Sequence, residues 1–462
     1  MRTDAGGTQQ RDELPDSTQP STSPPDGPLD VTAAIESTQD GVLATPPAST
    51  GMFASLRVRN YRLFISGQIV SNIGTWMQRI AQDWLVFVLT GNDPIALGIA
   101  FALQFTPTLF LSLWAGVLAD RMDKRRLLMI VLSAVAGCAL VLGLLDVTGV
   151  VQLWHVYVLC FVLGCFTAFE TPIRQSFVAE MVGHAQVPNA VALNSSTFNL
   201  ARIVGPAVAG FLITWVGTGP SFLVNAASTV CAVVALGMMD PQLLHRSPAV
   251  PRRRGQLVEG LRYVRHHRDI LAVMVMVFFV STFGITFFTS LAIIAVEVFH
   301  KQADGYGLLS TMLAIGTLSG ALWAARRSAR GGPKAVLLFG SAVLFGLLEV
   351  TAGLMPTYLS FCLALIPVGL ATVTFMTAAN STVQLAVSPE MRGRVMGLYM
   401  LVFLGGNPIG GPMTGWLAEE FGPRSPLVIG GLVATCAAIV CAVVVLRRGG
   451  RRAEDVLRPH LG

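Results

Sequence analysis

A row of polar side chains runs through an otherwise apolar stretch near the start of the sequence. Gln68, Asn72, Thr75, Arg79 and Gln82 follow one another at intervals of four, three, four and three residues. This spacing places all of them on one face of an α-helix. A polar face directed at lipid is costly, so we expect it to line a cavity or to contact another helix.

An acidic residue, Asp83, lies beside this polar face. It follows Gln82 directly and comes one helical turn after Arg79, so its carboxylate could pair with the guanidinium of Arg79. In one interpretation, Asp83 is a cavity carboxylate that binds a proton or a cationic substrate. In the other, Arg79 and Asp83 form a structural ion pair that holds this helix against a neighbour. The sequence leaves both interpretations open.

Isolated polar residues also occur in other apolar stretches. Glu170 has Arg174 four residues later, so it is either a second titratable carboxylate or half of an ion pair. Arg202 lies in an apolar stretch, where an unpaired and unhydrated arginine would be costly. The candidate residues for a substrate cavity and its coupling to an ion are Gln68, Asn72, Arg79, Asp83, Glu170, Asn199, Arg202 and Glu349.

The sequence contains no recognisable signature of enzyme chemistry. It has no Gly-Lys-Ser/Thr loop for phosphate, no HExxH pattern and no convincing Ser/His/Asp set. The seven cysteines fall within apolar stretches and lack metal-ligand spacing with histidine. We therefore expect a protein that is not an enzyme or an ATP-driven pump and that holds no metal or cofactor.

The composition is that of a membrane protein. Of the 462 residues, 53% are hydrophobic and only 13% are charged, whereas soluble proteins have about 25% charged residues. The net charge of +6 fits basic loops beside a membrane better than it fits nucleic-acid binding.

Apolar stretches long enough to cross a bilayer, which requires about 20 residues, occur throughout the chain. A polar stretch, 240–269, divides them into two sets of six. The predicted spans are 61–90, 95–119, 126–148, 152–173, 189–216, 220–239, 270–299, 305–325, 334–354, 358–387, 394–419 and 425–446.

The basic residues predict which side of the membrane each loop occupies. Two of the 32 basic residues, Lys301 and Arg424, fall in loops on one face, and Arg79 and Arg202 fall within spans. The remaining 28 (32 − 2 − 2) lie on the opposite face. Cytoplasmic loops are enriched in Lys and Arg, so we expect that face and both termini to be cytoplasmic.

The two sets of spans repeat a short pattern. Gly98 recurs as Gly307, 209 positions later, and Gly205-Pro206 recurs as Gly411-Pro412, 206 positions later. These nearly equal offsets predict a duplicated six-helix unit. The Gly-Pro pairs, together with Asn407-Pro408, should bend the helices that contain them.

The loop between the second and third spans combines a glycine, an acid and a cluster of positive charge. Its residues are Gly116, Asp120, Arg121, Lys124 and Arg125. Gly116 allows a neighbouring helix to approach closely. Asp120 can accept bonds from backbone N–H groups or pair with an arginine. The arrangement predicts a tight cytoplasmic turn.

These residues resemble the loop signature G-x-x-x-D-R-x-G-R-K/R of the major facilitator superfamily, with Asp123 in place of the second glycine. Gly205, Pro206 and Gly210 resemble the G-P-x-x-G-G core of the fifth-helix antiporter signature, from which Ala209 departs. The stretches 60–64, 76–90 and 199–210 look like the subgroup of bacterial drug and siderophore exporters.

The resemblance implies an all-α polytopic membrane protein whose twelve transmembrane helices form two six-helix bundles around a central cavity. Drug/proton antiporters usually carry an arginine within the fourth span, and here none precedes Arg174. The expected parts are a disordered cytoplasmic tail (1–52), an N-terminal bundle (53–240), a central cytoplasmic loop (241–268), a C-terminal bundle (269–449) and a second cytoplasmic tail (450–462).

The resemblance also implies a function. We expect a monomeric exporter of small amphipathic molecules in the bacterial cytoplasmic membrane, working by alternating access and proton antiport. Its partners would be the substrate, protons and the lipid bilayer, with no nucleic acid. The alternatives are a solute importer of the same fold and a membrane receptor or accessory protein that does not transport.

Overall fold

The computed structural model describes residues 53–245, 256–284, 286–328 and 335–448. The predicted tails, 1–52 and 450–462, lie outside these residues. The first half of the described chain forms helices α1 (Arg59–Thr90), α2 (Pro94–Arg121), α3 (Lys124–Val147), α4 (Leu153–Val182), α5 (Val187–Val216) and α6 (Thr218–Gly237).

The second half begins with a short helix and then continues with long ones. These helices are α7 (Gln256–His266), α8 (Arg268–Phe279), α9 (Phe287–Glu297), α10 (Ala303–Ser328), α11 (Ala335–Gly353), α12 (Tyr358–Ala386), α13 (Pro389–Gly405), α14 (Asn407–Phe421) and α15 (Ser425–Arg448). A wide helical turn, Val280–Gly284, follows α8.

Local sequence explains where the early helices begin and end. Gly91 stops α1 in the left-handed conformation, with φ of 66°. Asp93 then caps α2, because its carboxylate accepts hydrogen bonds from the backbone N–H groups of Ile95 and Ala96. Asp123 caps α3 by accepting a bond from the N–H of Arg126. The two acidic caps therefore fix the turns on either side of α2.

Ten stretches of the described chain are long and apolar enough to cross a membrane. Helix α1 is not among them because it carries the polar row, and the eleventh predicted span is divided into α13 and α14. With these two, the described chain has the twelve spans expected from the sequence.

The fourth span was predicted too short. It was expected at 152–173, but α4 continues to Val182. Pro172 does not end the helix, since membrane helices tolerate proline better than soluble ones do. The added turns bury Phe177 and Met181 in a cluster with Tyr61 and Leu128, so packing favours the longer helix.

The seventh span, expected at 270–299, is confirmed as a stretch of membrane-spanning length, Arg268–Glu297. It is interrupted between α8 and α9 at Val280–Gly284. The break expected in the eleventh span is confirmed, since α13 ends at Gly405 and α14 begins at Asn407. The two interruptions touch: a side chain at Gly406 would place its first carbon 2.6 Å from the hydroxyl oxygen of Thr282.

Helices of the first half pack mainly on one another, and so do those of the second half. The principal pairs in the first half are α1 with α6, α3 with α6, α2 with α4 and α1 with α5. In the second half they are α10 with α12, α11 with α15 and α11 with α12. The largest contacts between the halves are α2 with α14 and α5 with α10.

The predicted repeat is confirmed at these two contacts. Gly98 of α2 lies against Gly411 and Pro412 of α14, and Gly307 of α10 lies against Pro206 and Gly210 of α5. Each repeated glycine therefore meets the repeated Gly-Pro pair of the other half. Glycine allows the two backbones to touch, because a side chain at either position would collide with the facing helix.

Candidate substrate cavity and coupling site

A cavity of about 200 Å³ opens among α1, α2, α3, α4, α5 and α6. Much of its lining is polar, and α1 supplies the longest row. The predicted residues Asn72, Thr75, Arg79 and Gln82 all line it. These four residues of the polar face therefore border a cavity, and their role in binding a substrate stays a prediction. Gln68 lies outside the lining, buried in the same helix.

Amides hold the cavity wall together. Gln82 donates to the side-chain oxygen of Gln104 at 3.2 Å, which joins α1 to α2. Asn225 donates to the side-chain oxygen of Gln78 at 2.5 Å, which joins α6 to α1. The Asn72 amide nitrogen is buried and has no hydrogen-bond partner among the described residues. It is a free donor in the cavity wall.

Glu170 and Arg174 both line the cavity on α4. Their closest charged atoms are 3.7 Å apart, in the i, i+4 relation expected from the sequence. The Arg174 guanidinium also lies 3.4 Å from the side-chain oxygen of Gln68. Glu170 is thus both paired and on the cavity surface.

Arg79 is surrounded by aromatic rings. Its guanidinium carbon lies 5.2, 5.3 and 4.9 Å from the ring centroids of Phe101, Phe105 and Phe288. Arg202 of α5 lies 5.5 Å from the Trp76 ring and 5.9 Å from that same Phe288 ring. Two positive groups therefore approach one aromatic side chain.

The possible ion pair between Arg79 and Asp83 is not formed. Among the described residues, no carboxylate lies within 4.0 Å of the Arg79 or Arg202 guanidinium. The Nε atoms of both arginines are buried, and neither has a hydrogen-bond partner in the part of the chain that the structure describes. The pairing fails because Asp83 has a different partner.

The carboxylate of Asp83 accepts a hydrogen bond of 2.7 Å from the hydroxyl group of Tyr306. Asp83 is 5% exposed and Tyr306 is fully buried. Since Asp83 belongs to α1 and Tyr306 to α10, this bond joins the two halves. Tyr306 was missed at the sequence level, although it directly precedes the repeated Gly307 in an apolar helix.

The glycines of α5 serve close packing. A side chain at Gly205 would place its first carbon 3.0 Å from the carbonyl oxygen of Ile73 in α1. At Gly210 that carbon would lie 2.9 Å from the backbone of Ala303 in α10. Asn199, in contrast, donates within its own helix, to the Ser195 carbonyl at 2.8 Å, and does not line the cavity.

Glu349 lies in the second half, away from the cavity lining. It is 1% exposed, and its Oε2 atom has no hydrogen-bond partner among the described residues. A first side-chain carbon at Gly284 would lie 3.1 Å from that oxygen. Glu349 therefore faces the interruption between α8 and α9.

The basic loop after α2 ties helix ends together. Lys124 forms an ion pair with Glu180 near the end of α4. Arg125 donates to the carbonyl oxygens of Leu236 and Gly237, both at 2.7 Å. Positive charge at the carboxyl end of α6 is favourable, because that end carries a partial negative charge. The side chains of Asp120 and Arg121, and residue Gly116, lie outside the described set.

Known proteins are similar in sequence to most of this chain. A family model described as transmembrane secretion effector matches residues 50–458. The staphyloferrin A transporter of Staphylococcus aureus is 26% identical over 392 residues, covering 82% of this chain and 94% of that protein. Macrolide efflux protein A of Streptococcus pyogenes is 22% identical, with coverages of 82% and 94%. Multidrug efflux pump Tap of Mycolicibacterium fortuitum is 26% identical, with coverages of 80% and 94%.

Solved structures show the same fold. A bacterial homologue of the human lysosomal transporter Spinster matches with a TM-score of 0.64 and 14% identity, covering 86% of this chain and 98% of that chain. A D-xylose-proton symporter matches with a TM-score of 0.61 and 15% identity, covering 85% and 97%.

The family match, the twelve spans and the relatives in bacteria agree with one another. They describe a multi-pass membrane transporter of a bacterial cell membrane and not an enzyme. The chain therefore belongs to the transmembrane secretion effector family within the major facilitator superfamily.

Proposed function

We propose that this transporter exports small amphipathic molecules from the cytoplasm in exchange for protons. Support for export comes from the relatives named as efflux proteins and from the family description. The cavity lining is suited to amphipathic molecules, because polar groups such as Asn72 and Gln82 stand beside the aromatic side chains Trp76 and Phe198.

The orientation follows from the distribution of charge. We place the loop 121–126, the stretch 241–268 and both termini in the cytoplasm, because basic residues concentrate there. The N-terminal bundle is then 53–240 and the C-terminal bundle 269–449, and the transporter works as a monomer. Cysteines placed at positions 92 and 301 should react with an impermeant reagent from outside, and one at position 255 should not.

The observation that carries the proposal is the bond between Asp83 and Tyr306. It crosses between the halves near the end where α5 meets α10 at Gly210 and Ala303. We name this the closed end, defined by these two residues and by Pro94 and Gly415, which also touch. In our orientation the closed end faces outward.

Proton binding at Asp83 would change the strength of this bond. An ionised carboxylate accepts a charge-assisted hydrogen bond that is about twice as strong as one to a neutral acceptor. Loss of a proton therefore favours the closed outer end, and gain of a proton weakens the contact between the halves. A small change at one carboxyl group can in this way shift the balance between two packings.

The cycle follows from this preference. The empty, ionised protein stays closed to the outside while its cavity accepts substrate from the cytoplasm. When the loaded protein opens outward, Asp83 separates from Tyr306 and takes a proton as the substrate leaves. The protonated protein returns and releases that proton to the cytoplasm. Alternating access of this kind couples the export of substrate to the entry of protons.

Transport in everted membrane vesicles tests the proposal. A panel of fluorescent amphipathic dyes should accumulate inside when the vesicle lumen is acidified, because the lumen then corresponds to the outside of the cell. Asp83→Asn should abolish accumulation but keep exchange of dye down its own gradient. Full accumulation by Asp83→Asn would contradict proton coupling through this residue, and movement only in the opposite direction would indicate an importer.

A further inference from the structure

Two positive side chains meet in the protein interior, and neither has a carboxylate of the described residues in direct contact. Arg79 and Arg202 come from different helices, α1 and α5, and both approach the ring of Phe288. No carboxylate of the described residues lies within 4.0 Å of either guanidinium. A structural role would normally provide an acidic partner, because breaking a buried ion pair costs about 3–5 kcal/mol.

The nearby acids are already engaged. Asp83, one turn after Arg79, accepts the bond from Tyr306. Glu170 lies 3.7 Å from Arg174. These two carboxylates are therefore directed to other partners.

The aromatic rings stabilise the two arginines only in part. A cation held over a ring gains about 0.5–2 kcal/mol. A ring does not replace conventional acceptors for the five N–H donors of a guanidinium, which form a planar fork. The buried Nε atoms of Arg79 and Arg202 lack such acceptors among the described residues. Donors remain available for a ligand.

A ligand can reach Arg79 through the cavity, whereas Arg202 lies outside the lining and against the ring of Trp76, which is part of the lining. Arg79 and Trp76 both line the cavity, and so does Phe198, which is 39% exposed. Trp76 contacts Phe198 and Phe288, with ring centroids 5.7 and 5.5 Å apart. An apolar surface therefore lies beside the unpaired positive charge.

We infer that the substrate is an organic acid with an aromatic or apolar body, whose acidic group binds Arg79 and Arg202. Carboxylate and phosphate groups match the guanidinium fork and accept two parallel hydrogen bonds from it. The body of the molecule packs on Trp76 and Phe198. This inference rests on the proposed transport function and narrows its substrate class to anions.

Binding to the purified full-length protein tests this inference directly. The probes are three aromatic carboxylates of increasing size, each compared with the amide of the same shape, and affinity is measured by isothermal titration calorimetry. We expect at least one acid to bind about 10-fold more tightly than its amide, since a hydrogen bond to a charged group contributes about 1.5–3 kcal/mol.

Variants then test whether the two arginines cause the preference for the acid over its amide. Arg79→Gln and Arg202→Gln should each reduce the affinity of the acid about 10-fold and leave that of the amide unchanged. Arg327→Gln is the matched control, because Arg327 also lies over an aromatic ring, that of Trp323, outside this cavity. It should bind the acid as the wild type does.

The outcomes separate this inference from the proposed function. Acids that bind no better than their amides, or none that binds, would overturn the inference, and the wild-type comparison decides this even when a variant fails to fold. Dye accumulation driven by a proton gradient would still support export in that case. Acid binding without gradient-driven transport would instead uphold the inference and reject proton coupling.

Discussion

Two buried carboxylates, one in each half, illustrate how position determines what an acid can do. Asp83 accepts a bond from Tyr306 of the other half and lies one turn from the cavity residue Arg79. Glu349 is equally buried, but it faces the interruption between α8 and α9 within its own half. Judged by burial alone, the two carboxylates would be equally good candidates for proton coupling.

The two carboxylates differ in whether they take part in the contact between the halves. In the proposed cycle, a proton on Asp83 changes a bond that must break when the closed end opens. Glu349 has no partner on the opposite half among the described residues, and its Oε2 accepts no hydrogen bond there. No described residue near Glu349 forms an ion pair with it, and an ionised group would be costly at that depth. We therefore propose that Asp83 couples transport to protons and that Glu349 packs around the interruption.

The largest effect is expected when the charge of Asp83 is removed. Asp83→Asn should abolish gradient-driven export, and the double variant Arg79→Gln with Asp83→Asn should not restore it, because the two side chains are not paired. A structural ion pair would behave differently, since removing both charges would leave neither unpaired and function would return. Export by both variants in the same vesicles distinguishes these cases.

A smaller effect is expected from Tyr306→Phe, which removes only the hydroxyl donor. Loss of a hydrogen bond to a charged group weakens the closed end by about 1.5–3 kcal/mol, which shifts its equilibrium with the open form by about 10- to 150-fold. Empty protein would then cycle without substrate, so the steady-state dye gradient should fall about 10-fold while exchange continues. An unchanged gradient would mean that the bond does not hold the closed end.

The smallest effect is expected at Glu349. Glu349→Gln keeps the shape of the side chain and removes no hydrogen bond to Oε2, so transport should stay within about twofold of the wild type. Glu349→Lys, in contrast, buries an unpaired charge and should lower the amount of folded protein. Loss of gradient-driven export by Glu349→Gln, with normal protein levels, would move the coupling role from Asp83 to Glu349.

Much of the fold could be derived from apolar length and charge. Most span boundaries lie within a few residues of the structure, and the equal spacing of Gly98 and Gly307 indicated a duplicated unit, although not the helix contacts that these glycines make. The break near Val280–Gly284 had no such signal, because it contains no proline and depends on packing against Gly406. The extension of α4 beyond Pro172 likewise depends on side chains from other helices.

The site was predictable only where one helix determines it. The 3.6-residue period identified the face of α1 that carries Asn72 and Arg79. The partner of Asp83 was not predictable, because Tyr306 lies 223 positions later and only the packing of α10 against α5 brings it near. Helical spacing alone would allow Arg79 and Asp83 to pair. In the structure, Arg79 instead contacts aromatic rings, and Asp83 accepts a hydrogen bond from Tyr306.

The distance across the closed end, measured as a function of pH, tests the central claim most directly. Spin labels at positions 216 and 302, both exposed in this structure, report the separation of α5 and α10 by pulsed electron resonance. We predict a shift to longer distances as the pH falls, and the long distance at every pH in Asp83→Asn. A distance distribution that does not change with pH would contradict proton coupling through Asp83. So would a distance in Asp83→Asn that still changes with pH.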